Sequence, residues 1–188
     1  MIELTLEITS KCEHGCDYCS TNATPEGKNI HFNDVSGFLN KYREQDIQRI
    51  NISGGEPLSH PDFYQILRYC EKFTENVWVY TNALRQIKFN SDIIKEIKIE
   101  ANVCIITGRS SYIPKNVDKV NLLKLVHQGR AKQLPKNPQI HVSGNFVTSE
   151  HTCESCNHAL LQANGKIVDS PCKKDYPSIL CAALRREE

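Results

Sequence analysis

The sequence lacks the features of membrane-embedded and exported proteins. It contains no apolar run of about 18 residues or more, the length that a membrane-spanning helix needs. It also lacks a basic N-terminal stretch followed by a long apolar stretch, so we expect no signal peptide and a cytoplasmic location. The formal net charge is only +1, which predicts neither a nucleic-acid partner nor a membrane partner.

Cysteine, in contrast, is abundant, with nine residues in a chain of 188. Cytoplasmic proteins rarely form disulfides, so their thiols are available for metals. Most of these cysteines fall into two groups, Cys12, Cys16 and Cys19 near the start and Cys153, Cys156, Cys172 and Cys181 near the end. A disulfide framework would spread its cysteines more evenly, so this grouping predicts metal sites. The remaining two, Cys70 and Cys104, lie in apolar patterns and are predicted core thiols.

The first half of the chain alternates between strand and helix patterns. Strands are predicted over residues 2–8, 49–53, 77–80 and 102–107. Helices are predicted to begin at the N-cap residues Asn33 and Ser59, and a short third helix is predicted over residues 91–97. This alternation is typical of βαβ units and predicts a parallel sheet.

The second half of the chain departs from this alternation. Apolar runs over residues 119–126 and 139–142 are joined by connections too short for crossover helices. A complete eight-stranded (β/α) barrel needs on the order of 200 residues or more. We therefore predict an α/β fold, a partial (β/α) barrel of about six parallel strands with a trimmed second half.

A separate module is predicted at the C-terminal end. Asn164-Gly165 lies between two short β-prone runs, which is a strong signal for a hairpin. Cys153 and Cys156 precede this hairpin, and Cys172 follows it. We predict a barrel domain over residues 1–148 and a small β-hairpin cysteine module over residues 149–188. Four thiolates around a hairpin also fit a structural zinc site, which remains an alternative for this module.

Three loops that follow predicted strands carry unusual residues. They are the cysteine loop (residues 12–19), the segment Gly54-Gly55-Glu56-Pro57 and the dipeptide Thr81-Asn82. The carboxyl ends of parallel strands meet at one edge of a sheet, so we expect these loops to converge. The glycines would let the backbone approach a ligand closely. Thr81-Asn82 is equally compatible with a simple turn at the end of a strand.

The cysteine loop holds one thiolate fewer than a closed metal site requires. Structural zinc sites and iron–sulfur clusters use four protein ligands, whereas this loop offers Cys12, Cys16 and Cys19. One position on the metal centre would therefore be open to another ligand. A zinc site completed by His14 is the alternative interpretation.

The spacing Cys12-x3-Cys16-x2-Cys19, followed by Gly-Gly-Glu-Pro after the next strand, resembles the radical S-adenosylmethionine (radical SAM) superfamily. The resemblance implies that the three cysteines hold a [4Fe–4S] cluster, whose fourth iron chelates the amino and carboxylate groups of S-adenosylmethionine. It also implies a set of cofactor-binding residues: Tyr18 near the adenine, Gly54, Gly55 and Glu56 with Pro57 at the methionine ammonium, and Thr81 and Asn82 beside them.

The C-terminal cysteines add a second resemblance. Cys153-x2-Cys156 and Cys172 around a hairpin are similar to the auxiliary-cluster segment of the cyclase that begins molybdenum-cofactor synthesis, and to the twitch modules of peptide-modifying radical SAM enzymes. The likeness implies a second [4Fe–4S] cluster, to which Cys181 could contribute the fourth thiolate. The cyclase has Asn-Arg after its second cysteine where this chain has Asn157-His158, which weakens the inference of a GTP substrate.

We therefore expect a radical SAM enzyme that modifies a peptide or a cofactor precursor, with a purine nucleotide as the alternative substrate. The resemblance implies an electron donor such as flavodoxin or ferredoxin. Arg130, which follows the fifth predicted strand, and His158 are candidate substrate contacts. The rival hypothesis is a degenerate member that retains its cluster as an electron carrier or a binding module.

Overall fold

The computed structural model describes residues 1–19, 21–82, 100–105, 119–124, 133 and 157–169 of the chain. The elements, in chain order, are β1 (Ile2–Thr9), α1 (Phe32–Lys41), β2 (Ile47–Gly54), a 3-10 turn (Pro57–Ser59), α2 (Phe63–Cys70), β3 (Val77–Val79), β4 (Glu100–Ile105), β5 (Lys119–Lys124), β6 (His158–Leu161) and β7 (Ile167–Asp169). Neither helix in this described part has the length and hydropathy that crossing a bilayer requires.

The described strands form a five-stranded sheet and a two-stranded sheet. The larger sheet has the order β3-β2-β1-β6-β7, and β4 pairs in parallel with β5 in the smaller one. β1 lies parallel to both β2 and β6, β2 lies parallel to β3, and β7 returns antiparallel to β6. A mixed α/β architecture with mostly parallel strands is therefore confirmed. The predicted strand at residues 139–142 lies outside the described residues, and closure into one barrel of about six strands stays a prediction.

Both helices pack against the same face of the larger sheet. Alternate residues of the strands and the apolar stripes of the helices form one core, which includes Leu4, Leu6, Ile8, Ile50, Ile52, Val35, Phe38, Leu39, Ile66 and Leu67. Right-handed crossovers that advance in one direction, from β1 to β2 to β3, place their helices on one side of a sheet. This is the winding of a (β/α) barrel, in which helices cover the outer face and the other face lines the interior.

The predicted helix starts are wrong by small margins. α1 follows an N-cap at His31, whereas the sequence suggested Asn33. α2 follows an N-cap at Asp62, whereas the sequence suggested Ser59. The second difference has a clear cause, because His60 precedes Pro61 and a residue before proline disfavours helical backbone. His60 is accordingly extended, and it separates the 3-10 turn from α2.

The other face of the sheet, which we call the polar face, carries the residues that alternate with the core positions; they are mostly polar, with a buried leucine among them: Glu3, Thr5, Glu7, Arg49, Asn51, Ser53, Trp78, His158 and Leu160. Several of them contact one another across the strands. Arg49 donates to both carboxylate oxygens of Glu3 at 2.7 Å and lies 4.9 Å from the centre of the Trp78 ring. The Nε2 atom of His158 lies 2.7 Å from the Oγ1 atom of Thr5.

Cys70 is the core thiol that the sequence predicted, since it is fully buried at the end of the α2 stripe. Burial raises its pKa to about 12, with a smaller effect from the charge of Glu71. Alkylating reagents react with the thiolate form, so the raised pKa of Cys70 makes its thiol unreactive at about pH 8.

We expect Cys70 to resist alkylation in the folded, iron-free protein while Cys12, Cys16 and Cys19, which are half-buried, react first. Iodoacetamide labelling at about pH 8, followed by peptide mass spectrometry, measures the rate at each cysteine. Labelling of Cys70 as fast as the loop cysteines would contradict the packing described here. Unfolding in guanidinium should abolish the difference.

Candidate cofactor site at the ends of strands β1, β2 and β3

The cysteine loop follows β1 directly, and its base is fixed by backbone hydrogen bonds. The Cys12 N–H donates to the Thr24 carbonyl at 2.8 Å, and the Ser10 N–H donates to the Lys28 carbonyl at 2.9 Å. The chain thus leaves β1, forms the loop and returns alongside its own starting point. None of the three thiols is in a disulfide, and all three are half-buried at the end of a fixed strand.

The electrostatics of the loop favour a positively charged occupant. Burial raises the pKa of Cys12 most, a hydrogen bond with the backbone of His14 lowers it in part, and the nearby charges of Cys16, Cys19 and Glu56 each raise it by less. Thiolates that disfavour one another in this way are stabilised by the positive charge of bound iron. The donor set therefore fits an iron–sulfur cluster.

The thiols are not gathered around one point. Among the residues that the structure describes, no three Cys, His, Asp or Glu side chains are placed to hold a single metal ion. A cluster makes a different geometric demand, because each cysteine binds a different iron atom and the sulfurs stay apart. The separation of the thiols is thus compatible with a cluster, whereas the zinc alternative would need the loop to contract.

Gly54 and Gly55 bring β2 against the start of the cysteine loop. A Cβ atom on Gly54, whose φ is +129°, would lie 2.2 Å from the Thr9 carbonyl oxygen, and one on Gly55 would lie 2.3 Å from that of Lys11. The Gly55 N–H donates to the Thr9 carbonyl at 2.7 Å, and the Glu56 N–H donates to the Lys11 carbonyl at 2.9 Å. The sequence suggested a ligand as the close neighbour of these glycines, and the neighbour that the structure shows is the chain's own backbone.

Glu56 joins the second loop to the third. Its carboxylate is 3% exposed and accepts hydrogen bonds from the Thr81 hydroxyl at 2.7 Å, the Asn82 N–H at 2.9 Å and the Leu58 N–H at 3.0 Å. The predicted convergence of the Gly-Gly-Glu-Pro segment with Thr81-Asn82 is therefore present. A carboxylate has about four acceptor sites, so these three donors leave capacity for one more.

The other predicted cofactor-binding residues, Pro57, Tyr18 and Asn82, belong to the same three loops. Pro57 is buried and begins the 3-10 turn, whose end is fixed by the Ser59 hydroxyl donating to the Glu56 carbonyl at 2.7 Å. Tyr18 is 40% exposed in the cysteine loop, and Asn82 is also exposed. An exposed aromatic ring beside the thiols is available to pack against a bound group.

His158 lies away from this edge. It begins β6, is buried, and pairs in register with Glu3 near the amino end of β1. The parallel strands place it roughly 20 Å from the loops at their carboxyl ends, at about 3.3 Å per residue. Its hydrogen bond to Thr5 supports a role in joining β6 to β1.

Five predicted site residues, Arg130, Cys153, Cys156, Cys172 and Cys181, lie outside the described residues. Their roles stay predictions. The structure does show the strands between Cys156 and Cys172, because β6 and β7 pair antiparallel around Gly165, whose φ is +82°.

Sequence reasoning missed Thr9 and Gly27, which shape the base of the loop. The Thr9 hydroxyl donates to Asn29 Oδ1 at 2.7 Å and accepts from the Lys11 N–H at 2.9 Å. A Cβ atom on Gly27 would lie 2.1 Å from the Ser10 carbonyl oxygen, so only glycine fits there. Two signals were available, a threonine at the end of a strand and the turn-forming sequence Pro25-Glu26-Gly27.

The family comparison agrees with this geometry. The family model described as the Radical SAM superfamily matches residues 6–106, which is more than half of the chain. The matched range contains the cysteine loop, the Gly-Gly-Glu-Pro segment and Thr81-Asn82. The chain belongs to the radical SAM superfamily.

Similar sequences include several GTP 3',8-cyclases. That of Staphylococcus aureus (strain Mu3) is 22% identical over 138 residues, which cover 66% of this chain and 41% of the relative. The probable GTP 3',8-cyclase of Methanococcus maripaludis is 36% identical over 66 residues, which cover 34% of this chain and 22% of the relative. The chain thus spans less than half the length of these relatives.

Similar solved structures share the fold. Streptococcus suis SuiB bound to S-adenosylmethionine superposes with a TM-score of 0.61 at 12% identity, covering 89% of this chain and 59% of that one. SuiB bound to the precursor peptide SuiA gives a TM-score of 0.56 at 16% identity, covering 73% and 42% of the two chains. BtrN in complex with AdoMet and 2-DOIA gives 0.54 at 16% identity, covering 89% and 72%.

We expect Gly54→Ala to destabilise the protein by about 3 kcal/mol, because the new methyl group meets the Thr9 carbonyl and the backbone needs a positive φ. Gly15→Ala is the control, since Gly15 lies in the neighbouring cysteine loop with no atom within 4 Å of the added Cβ. That variant should change stability by less than about 0.5 kcal/mol. Urea unfolding of both iron-free variants measures the difference, and equal losses would contradict the close approach.

Proposed function

We propose that the chain is a radical SAM enzyme whose site is formed by the three loops at the carboxyl ends of β1, β2 and β3. The observation that carries the proposal is their convergence: Gly55 and Glu56 bond to the base of the cysteine loop, and Glu56 holds Thr81 and Asn82. A [4Fe–4S] cluster held by the three cysteines would supply the electron that cleaves the sulfonium of S-adenosylmethionine, and the resulting 5'-deoxyadenosyl radical would abstract hydrogen from the substrate.

The chain's own residues would bind and orient the cofactor. Cys12, Cys16 and Cys19 supply three thiolates and leave one iron open. The remaining acceptor capacity of Glu56 suits the methionine ammonium, and a charge-assisted hydrogen bond there would be strong because the carboxylate is buried. The backbone hydrogen bonds of Gly55 and Glu56 fix this carboxylate relative to the base of the cysteine loop, so the methionine end of the cofactor would be held from two sides by connected loops.

For the substrate we propose a peptide or a cofactor precursor, with the peptide ahead. The likeness to SuiB, which was solved with a precursor peptide, supports the peptide. The likeness to GTP 3',8-cyclases supports a purine nucleotide as the alternative. We further propose a cytoplasmic location, and reduced flavodoxin or ferredoxin as the electron donor.

A second [4Fe–4S] cluster is proposed for the predicted C-terminal module over residues 149–188, with Cys153, Cys156, Cys172 and Cys181 as its ligands. The antiparallel pairing of β6 with β7 supports it, because the hairpin leads back from Cys156 toward Cys172. With four thiolates the centre would be closed and suited to electron transfer, whereas with three an iron would be open to substrate.

One observation favours a rival function. Glu56 already accepts three hydrogen bonds from the protein, so its carboxylate is satisfied without a cofactor. A degenerate member that keeps its first cluster as an electron carrier or a binding module would show this arrangement too. Cofactor cleavage separates this rival from the enzyme.

We expect the reconstituted protein to release 5'-deoxyadenosine from S-adenosylmethionine when dithionite is added under anaerobic conditions. Cys12→Ala, Cys16→Ala and Cys19→Ala should each abolish release and lower the iron content by about four atoms per chain. Cys70→Ala, which removes a core thiol, should retain both. Liquid chromatography with mass detection measures the product. Wild-type protein that binds a full cluster but releases none would favour the electron carrier or binding module.

The second cluster predicts a stepwise loss of metal. Wild-type protein should hold about eight iron and eight sulfide per chain, and Cys153→Ala should hold about four of each. Cys181→Ala distinguishes the two ligand sets, because it lowers the count only if four thiolates close the centre. Iron and sulfide assays, with zinc measured in parallel, check this. One zinc per chain in place of the second four irons would show that the module is a structural zinc site.

A further inference from the structure

Glu7 is a carboxylate on the polar face that the proposed cofactor chemistry does not use. Its neighbours Leu6 and Ile8 point into the core, so Glu7 points to the opposite side. It pairs in register with Ser53 of β2, near the carboxyl end of both strands. It lies two positions before Thr9, about 7 Å along the strand from the edge that carries the cysteine loop.

The fold disfavours the charge of Glu7. Burial raises the pKa of Glu7, and the backbone N–H of Ala163, which lowers it, offsets this only in part. Glu3 lies four residues earlier in β1, on the same face. Its carboxylate instead forms an ion pair with the Arg49 guanidinium at 2.7 Å. Within the described ranges no ion pair involves Glu7. A half-buried carboxylate held at a cost to the fold is typical of a residue kept for binding or chemistry.

Among the described residues, the surroundings of Glu7 offer hydrogen-bond acceptors and no unbalanced cation. Asn51 lies two residues before Ser53 on β2 and is 1% exposed. Its side-chain oxygen has no hydrogen-bond partner in the described part of the chain. The described residues of the polar face contain two carboxylates, Glu3 and Glu7, and a single cation, Arg49, whose charge Glu3 balances. A surface of this kind favours N–H donors and repels phosphate.

We infer that Glu7 is a substrate-binding residue, which holds an ammonium group of the substrate and selects against phosphate-bearing substrates. The inference rests on the proposed function, since the polar face leads to the edge where the cofactor would react. It names the substrate class within that function, a peptide or amine in preference to a purine nucleotide. Glu7 orients the substrate on the polar face, next to the edge where the cofactor would bind. Asn51 offers a second acceptor on the same face, further from the loops.

The test compares three defined probes on the full-length, anaerobically reconstituted protein without reductant. N-acetyl-lysinamide carries an ammonium, N-acetyl-norleucinamide has the same shape without it, and GTP carries phosphates. Ligand-observed NMR titrations give each dissociation constant. Wild-type protein should bind the lysine probe about tenfold more tightly than the norleucine probe, and GTP should not displace it.

Glu7→Gln should abolish the preference for the lysine probe, and Glu3→Gln, on the same strand and face, should retain it. Thermal unfolding of both variants checks that each is folded, so that a change in binding is not caused by loss of the fold. The raised pKa of Glu7 means that the folded state holds its proton more tightly than the unfolded chain, so stability falls as the pH rises from the ordinary carboxyl pKa to the folded one. Glu7→Gln should therefore unfold at the same or a higher temperature than wild type at about pH 8, whereas Glu3→Gln, which leaves Arg49 unpaired, should unfold at a lower one.

Three outcomes would overturn the inference: no preference in wild type, an unchanged preference in Glu7→Gln, or displacement of the lysine probe by GTP. The measurement does not depend on cofactor cleavage. Protein that releases 5'-deoxyadenosine but shows any of these outcomes refutes the role of Glu7 alone. Protein that cleaves no cofactor but shows the Glu7-dependent preference refutes the proposed reaction and leaves a binding site for amines.

Discussion

Two backbone hydrogen bonds join the end of β2 to the start of the cysteine loop, from the Gly55 N–H to the Thr9 carbonyl and from the Glu56 N–H to the Lys11 carbonyl. They are possible because Gly54 and Gly55 lack Cβ atoms, which would otherwise overlap the carbonyl oxygens of Thr9 and Lys11. The thiols and the carboxylate of Glu56 therefore belong to one rigid unit. The orientation of a cofactor that touches both depends on these contacts.

From this unit the structure extends in two directions. Toward β3, the Glu56 carboxylate accepts hydrogen bonds from the Thr81 hydroxyl and the Asn82 N–H. A side chain of the second loop thus positions the third loop. Along β1, the residues that face away from the helices change from an ion pair at Glu3 to a carboxylate without a described cation at Glu7. The ion pair thus lies at the amino end of the strand, and the proposed binding residues lie near the loops, at the edge where parallel α/β folds usually bind ligands.

Much of this arrangement could be read from the sequence, for reasons that particular residues show. Leu4, Leu6 and Ile8 alternate with polar residues, and the α2 stripe ends at Cys70, so the strand, the helix and their buried faces follow from periodicity alone. The convergence of Glu56 with Thr81-Asn82 follows from the rule that parallel strands share an edge. Contacts that depend on residues far away in the sequence, or on the steric fit of two strands, could not be predicted from the sequence. The buried place of His158 depends on Thr5, 153 residues away, and the partner of Gly54 is a carbonyl of another strand.

The position of β6 in the sheet constrains the order of events during synthesis. β1 lies between β2 and β6, so one of its neighbours is made soon after it and the other only when residues 158–161 have been translated. Contacts between such distant segments form late and slow the completion of a fold. The cysteine loop consequently leaves the ribosome, with its return segment and β2, well before β1 gains its second neighbour.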